Sequence, residues 1–222
     1  MKHHAPHEFL SSKWYHVVIS LDLKDMVKYV ACMDGYLKRR AFRFRSEERR
    51  VLSSPDLPSG AKEYWTDHHD SLRERFEETF PQAMRMSSFI ASCALTEGHL
   101  KQICDILRTE EEVRPLKPVR HRAFVSVAHE YIQTTAKHPL HECDQPLAEL
   151  LHYHTLRNKL VHDMGYFRRK LHNSEFETWM SQRADVSIDN HGRIVLARGF
   201  CETHLSVVEK YFTTVNTELA GR

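Results

Sequence analysis

Residues 81–108 read PQAMRMSSFIASCALTEGHLKQICDILR, and their periodicity sets the class of the fold. Met86, Phe89, Ile90, Cys93, Leu100, Cys104 and Leu107 fall within roughly 60° of one line on a helix. Pro81 suits a first helical turn, where a missing N–H costs nothing. Glu97 lies inside this stripe, about 40° from Cys93. A carboxylate there either sits at a wet edge or borders an internal polar site and pairs with an arginine such as Arg157. The reason is that an unpaired buried charge is costly.

Outward from this helix, the chain keeps a helical period almost everywhere. Residues 13–21 (KWYHVVISL) are the exception near the start; aromatic and β-branched side chains predict a short strand. From Asp22, Leu23, Met26, Val27, Val30, Met33, Leu37, Ala41 and Phe44 recur at helical spacing to about residue 50. SSPDLPSG at residues 53–60 is a break. A second helix follows over residues 61–80, with Trp65, His69, Leu72, Phe76 and Phe80 on one side. After a charged loop over residues 109–118, a helix is predicted for residues 119–136. Asp144-Gln145-Pro146 opens another, which runs to residue 164 and stops at Gly165. Residues 166–184 are basic and ambiguous. Val186, Ile188, Ile194 and Leu196 flank Asp189-Asn190-His191-Gly192, a β-hairpin signal. Phe200, His204, Leu205, Val208, Tyr211, Phe212, Val215 and Leu219 trace a final helix. The expected fold is an all-α helical bundle with a small β-hairpin (residues 186–197) before the C-terminal helix. Residues 1–60 form an N-terminal segment packed on the core, and residues 61–222 the main helical domain.

Composition narrows the classes. With 222 residues and 41% hydrophobic content, the chain can bury a core as one domain. Seven Gly and eight Pro are too few for a turn-rich all-β fold. A formal charge of +2 excludes a polycation, so any nucleic-acid surface must come from local clustering. Five cysteines with no C-x-x-C pair suit reduced, buried thiols rather than a disulfide framework. Neither a signal core nor an 18-residue apolar run is present. The expectation is a cytoplasmic protein without a membrane partner.

The chemistry-bearing stretch is Leu156-Arg157-Asn158-Lys159-Leu160-Val161-His162 on the later helix. Asn158 and His162, four apart, share a face; Arg157 sits about 140° from His162 and reaches that face only through side-chain length. A second cluster runs Lys38, Arg39, Arg40, Arg43, Arg45, Arg49 and Arg50, interleaved with Phe42 and Phe44. Such a run is either a solvated helix end, softened by Glu47 and Glu48, or a phosphate-contacting surface with rings for base stacking. Arg168, Arg169 and Lys170 add charge beyond the motif helix. His152-x-His154 with His162 is poorly spaced for a shared metal, because residues two apart on a helix diverge by about 160°. There is no phosphate-binding glycine loop, nucleophile elbow or dinucleotide fingerprint, so neither cofactor nor metal is expected.

This motif on the later helix of an all-α chain resembles that of HEPN domains: Arg, a polar residue, three more residues, then His. The helix carrying Phe89, Glu97 and Leu100 is similar to the one such domains pack against their motif helix. The hairpin and last helix are similar to the tail of several prokaryotic members. The resemblance covers roughly residues 61–219. It implies a homodimer with two motif helices facing a cleft, and metal-independent RNA cleavage in toxin–antitoxin or antiviral settings, with an antitoxin or regulatory protein as partner. Carried over, Arg157 and His162 are catalytic, Asn158 orients them or the phosphate, and Glu97 supports the site. Some members carry Tyr two positions after the His; here that position is Met164. RNA supplies its own nucleophile, so an imidazole that titrates near neutrality and a bidentate guanidinium suffice in principle. A HEPN-like module that binds RNA or protein without cleaving is the alternative.

Overall fold

The computed structural model describes residues 13–117, 119–167 and 174–220. Helices dominate it: α1 (Lys13–Leu52), α2 (Ser59–Glu74), α3 (Phe80–Glu110), α4 (Phe124–Ala136), α5 (Asp144–His162), α6 (Ser174–Ser181) and α7 (Phe200–Ala220). One antiparallel hairpin, β1 (Val186–Ile188) and β2 (Ile194–Leu196), precedes α7, with Val186 opposite Leu196 and Ile188 opposite Ile194. The chain is all-α with a small hairpin attached.

The strand predicted for residues 13–21 does not form; the segment is the opening of α1, which runs unbroken for 40 residues. Its buried residues Ile19, Leu23, Val30 and Leu37 recur at intervals of four and seven. Burying them along one face outweighs the weak strand propensity of the stretch. Through them α1 contributes directly to the core, lying along α7 and against α2 and α3.

Helices α2 and α3 are not separate. A π-helical turn, Arg75–Thr79, joins them into one continuous rod. Pro81 lies just beyond this turn, and a proline lacks the N–H that an α-helical ladder needs. A wider turn immediately before it is a common way for a helix to absorb such an interruption. Two other boundaries move inward. Helix α4 begins at Phe124 rather than Val119, and α5 ends at His162 rather than Met164.

Helix α3 is the axis of the bundle, and two apolar clusters meet along it. Phe89 and Cys93 pack with Tyr153, Leu156, Leu160, Trp179 and Phe200. Leu100, Ile103, Cys104 and Leu107 pack with Ile132, Leu150, Val208 and Tyr211. Its buried surface is wider than the stripe read from the sequence: Ser88, Ser92, Thr96 and His99 are buried too, whereas Met86 and Ile90 are half-buried. Phe89 is fully enclosed, with the rings of Tyr153, Phe200 and His204 at 6.0, 5.1 and 4.9 Å. Burying one such ring contributes about 2–3 kcal/mol.

Among the described residues four histidines, His69, His99, His129 and His204, are buried in the core. His204 is 1% exposed, with Nδ1 2.9 Å from Ser92 Oγ and Nε2 3.9 Å from Cys93 Sγ. Ser92 donates its own proton to the Phe89 carbonyl at 2.8 Å. Nδ1 is therefore the protonated nitrogen, and Nε2 is free to accept from the Cys93 thiol. Burial lowers the pKa of His204 to about 3 and raises that of the Cys93 thiol, so both stay neutral.

Candidate functional site

The C-terminal half of α5 places its polar residues by helical spacing alone. Leu156 and Leu160 face the core and anchor the helix. His154, Asn158 and His162, at intervals of four, run along a neighbouring face. Three residues past His162 the chain turns away: Met164 has φ +51° and Gly165 φ +78°. The Gly165 N–H closes back on the Lys159 carbonyl at 3.3 Å, which also accepts the Asp163 N–H at 3.0 Å. Gly165 then accepts the Ile194 N–H at 2.8 Å, so the end of the motif helix is tied to the hairpin.

Arg157, Asn158 and Glu97 come together, with a fourth residue between them. Arg157 Nη1 donates to Asn158 Oδ1 at 3.0 Å. Asn158 Nδ2 donates to His154 Nδ1 at 3.3 Å. His154 Nε2 lies 4.0 Å from Glu97 Oε1 across the α5–α3 interface. Glu97 therefore meets His154, not Arg157, as its partner. The amide orientation makes Nδ1 of His154 an acceptor and leaves the proton on Nε2, aimed at the carboxylate. The two hydrogen bonds run the same way, from guanidinium through amide to imidazole, so the first polarises the second, and the imidazole faces the carboxylate across 4.0 Å.

His154 is held below its ordinary pKa, chiefly by burial and further by Arg157, against an opposing pull from Glu97. It is therefore neutral at pH 7. From the sequence, His154 is considered only with His152 as a pair poorly spaced for a shared metal. The two do diverge, His152 stacking on Trp179 with ring centroids 5.3 Å apart. Its contact with Asn158 follows from spacing: His154 precedes Asn158 by one turn on the same face.

His162 stands apart from this chain. It is exposed at the last position of α5 and makes no hydrogen bond to Arg157 among the described residues. Behind Glu97 and His154, a crevice lined by Cys93, Thr96, Tyr153 and His204 has room for about 10 Å³, on the order of a single water. A small substrate does not fit there. A ligand reaching Arg157 and His162 must approach from outside.

Of the residues expected to touch nucleic acid, Arg39, Arg40, Arg43 and Arg45 are exposed on α1. Arg40 lies over the Phe76 ring at 5.7 Å and Arg45 donates to Glu77. Phe42 is 67% exposed, whereas Phe44 turns inward against His69 and Phe76. Only one of the two expected rings is therefore free. Arg168, Arg169 and Lys170 lie outside the described residues.

The chain matches no family model, no curated protein and no solved structure. Among the described residues no helix is long and apolar enough to cross a membrane.

Proposed function

We propose that this protein is a HEPN-type endoribonuclease that cleaves RNA without a metal. The observation that carries this reading is the oriented Arg157–Asn158 pair, braced by His154 and Glu97, with His162 exposed one turn further along the same face. Asn158 occupies one Nη1 donor and Nε is buried, which leaves the outer Nη1 and Nη2 donors for bidentate contact with a phosphate. The small crevice behind the site favours a polymer laid across the surface over an enclosed metabolite.

In this mechanism His162 takes the proton from a ribose 2′-hydroxyl. That oxygen attacks the adjacent phosphorus, and the P–O bond to the 5′-oxygen breaks. The leaving oxygen receives a proton from the His162 of a second copy across a two-fold cleft, so a homodimer supplies both base and acid. Arg157 stabilises the charge developing on the phosphate oxygens. A toxin–antitoxin pair or phage defence is the setting this activity suits, with an antitoxin protein as partner.

The test is cleavage of single-stranded RNA by the parent and by His162→Ala, with EDTA present. The parent is expected to cut, and the variant to lose about 10²–10⁴ in rate. Equal cleavage by both, or cutting by neither, rejects the enzyme. One observation favours a second reading, a non-catalytic RNA-binding module: within one chain His162 and Arg157 are not joined. RNA binding by parent and variant alike, without cleavage by either, is its signature.

A further inference from the structure

A second constellation lies away from the motif, where α1, the π turn, the start of α3 and the residue following the hairpin converge. Asp34 is 9% exposed inside the apolar face of α1. It lies 3.1 Å from Arg198 Nε and 3.8 Å from Arg85 Nη2. Arg85 also donates through Nη1 to the Leu196 carbonyl at 3.1 Å, while its buried Nε has no hydrogen-bond partner. These groups border a pocket of about 460 Å³ that Lys38, Arg45, Phe42 and Phe76 complete.

The chemistry of this pocket is that of a phosphate beside a ring. Lys38, Arg45, Arg85 and Arg198 face Asp34 and Glu77, a local excess of two positive charges on a nearly neutral molecule. Lys38 has no ion pair among the described residues. Arg198 and Arg45 remain 63% and 53% exposed despite their partners, so each keeps guanidinium donors open to an anion while still paired. Phe42 presents an open phenyl face at the rim. A half-open cleft of this size suits a nucleotide unit.

We propose that this pocket holds one nucleotide of a single-stranded RNA, with its phosphate against Lys38, Arg85 and Arg198 and its base stacked on Phe42. The assignment rests on the RNA-directed reading above, but not on cleavage. The hairpin supports both sites: β2 is bonded to Gly165 beyond the motif helix, its Leu196 carbonyl accepts Arg85, and Arg198 follows it. A strand seated in the pocket is thus held by the same element that fixes the end of α5.

The experiment measures fluorescence anisotropy of labelled oligo(U) and oligo(A) at several salt concentrations, with the full chain carrying His162→Ala so that cutting plays no part. Phe42→Ala is expected to weaken binding about tenfold, with Phe42→Trp restoring it. Lys38→Ala is expected to lower the slope of log affinity against log salt by about one. Both positions are exposed on α1, so the fold tolerates them, and circular dichroism confirms it. If the unsubstituted pocket binds RNA and both variants bind it equally well, the pocket assignment falls while the RNA reading stands. If no form binds RNA at low salt, both fall. AMP competing as well as the oligomer overturns the strand and makes the pocket a free-nucleotide site.

Discussion

Asn158 uses both ends of its amide, accepting from Arg157 and donating to His154, and this links a half-buried guanidinium to a histidine that faces a carboxylate on another helix. Glu97 acts in that chain by opposing the lowered pKa of His154. Removing its charge while keeping its shape, as in Glu97→Gln, is expected to lower the His154 pKa further. A histidine titration by two-dimensional NMR reads this directly; an unchanged or raised value would show that the carboxylate is not felt. The motif residues and Glu97 were legible in the sequence because their spacing is local to one helix each. Which arginine or histidine Glu97 meets was not, since α3 and α5 are joined by packing rather than by register.

At the scale of elements, the junction between α5 and the hairpin decides where His162 is held. Gly165 has φ +78°, and the atom nearest to an added Cβ is Met86 Cε at 3.4 Å. The obstacle to a side chain is therefore the left-handed backbone rather than crowding. Gly165→Ala is expected to cost about 1–2 kcal/mol, which lowers Tm by roughly 2–8 °C in a chain of this size. Differential scanning calorimetry checks it, and an unchanged Tm would mean the turn can relax without strain. The hairpin itself was readable: Asp189 Oδ1 accepts the N–H groups of His191 and Arg193 at 2.8 and 2.9 Å, the local closure its turn residues announce. The π turn before Pro81 was not, because a proline at a first turn and a proline inside a bulged rod look alike in sequence.

Across the whole molecule, buried neutral histidines make folding sensitive to mild acid. His99, His129, His154 and His204 all sit below their ordinary pKa, chiefly through burial. Each binds its proton more readily when unfolded. Their stabilising effect is fully present above about pH 6.5 and is lost as pH falls below it. Each group that stays neutral in the fold contributes a slope of about 1.4 kcal/mol per pH unit. Urea midpoints are expected to fall steadily from about pH 6.5 to 5, above the main carboxylate range. His204→Asn, which retains a donor for Ser92, is expected to flatten that slope. A profile level across the window in the parent would contradict the prediction.

The sequence by itself determined the helical class, the hairpin, the position of the final helix and the common face of Asn158 and His162. All of these follow from periods and turn residues that act over a few positions. Tertiary structure alone decided the rest. Residues 13–21 became helix because Ile19 and Leu23 gain more from the core than from pairing as a strand. Glu97 met His154 because α5 lies against α3 at that height. Asp34, Arg85 and Arg198, far apart in the chain, became one charged pocket because a buried carboxylate needs partners and packing brought two guanidiniums within reach.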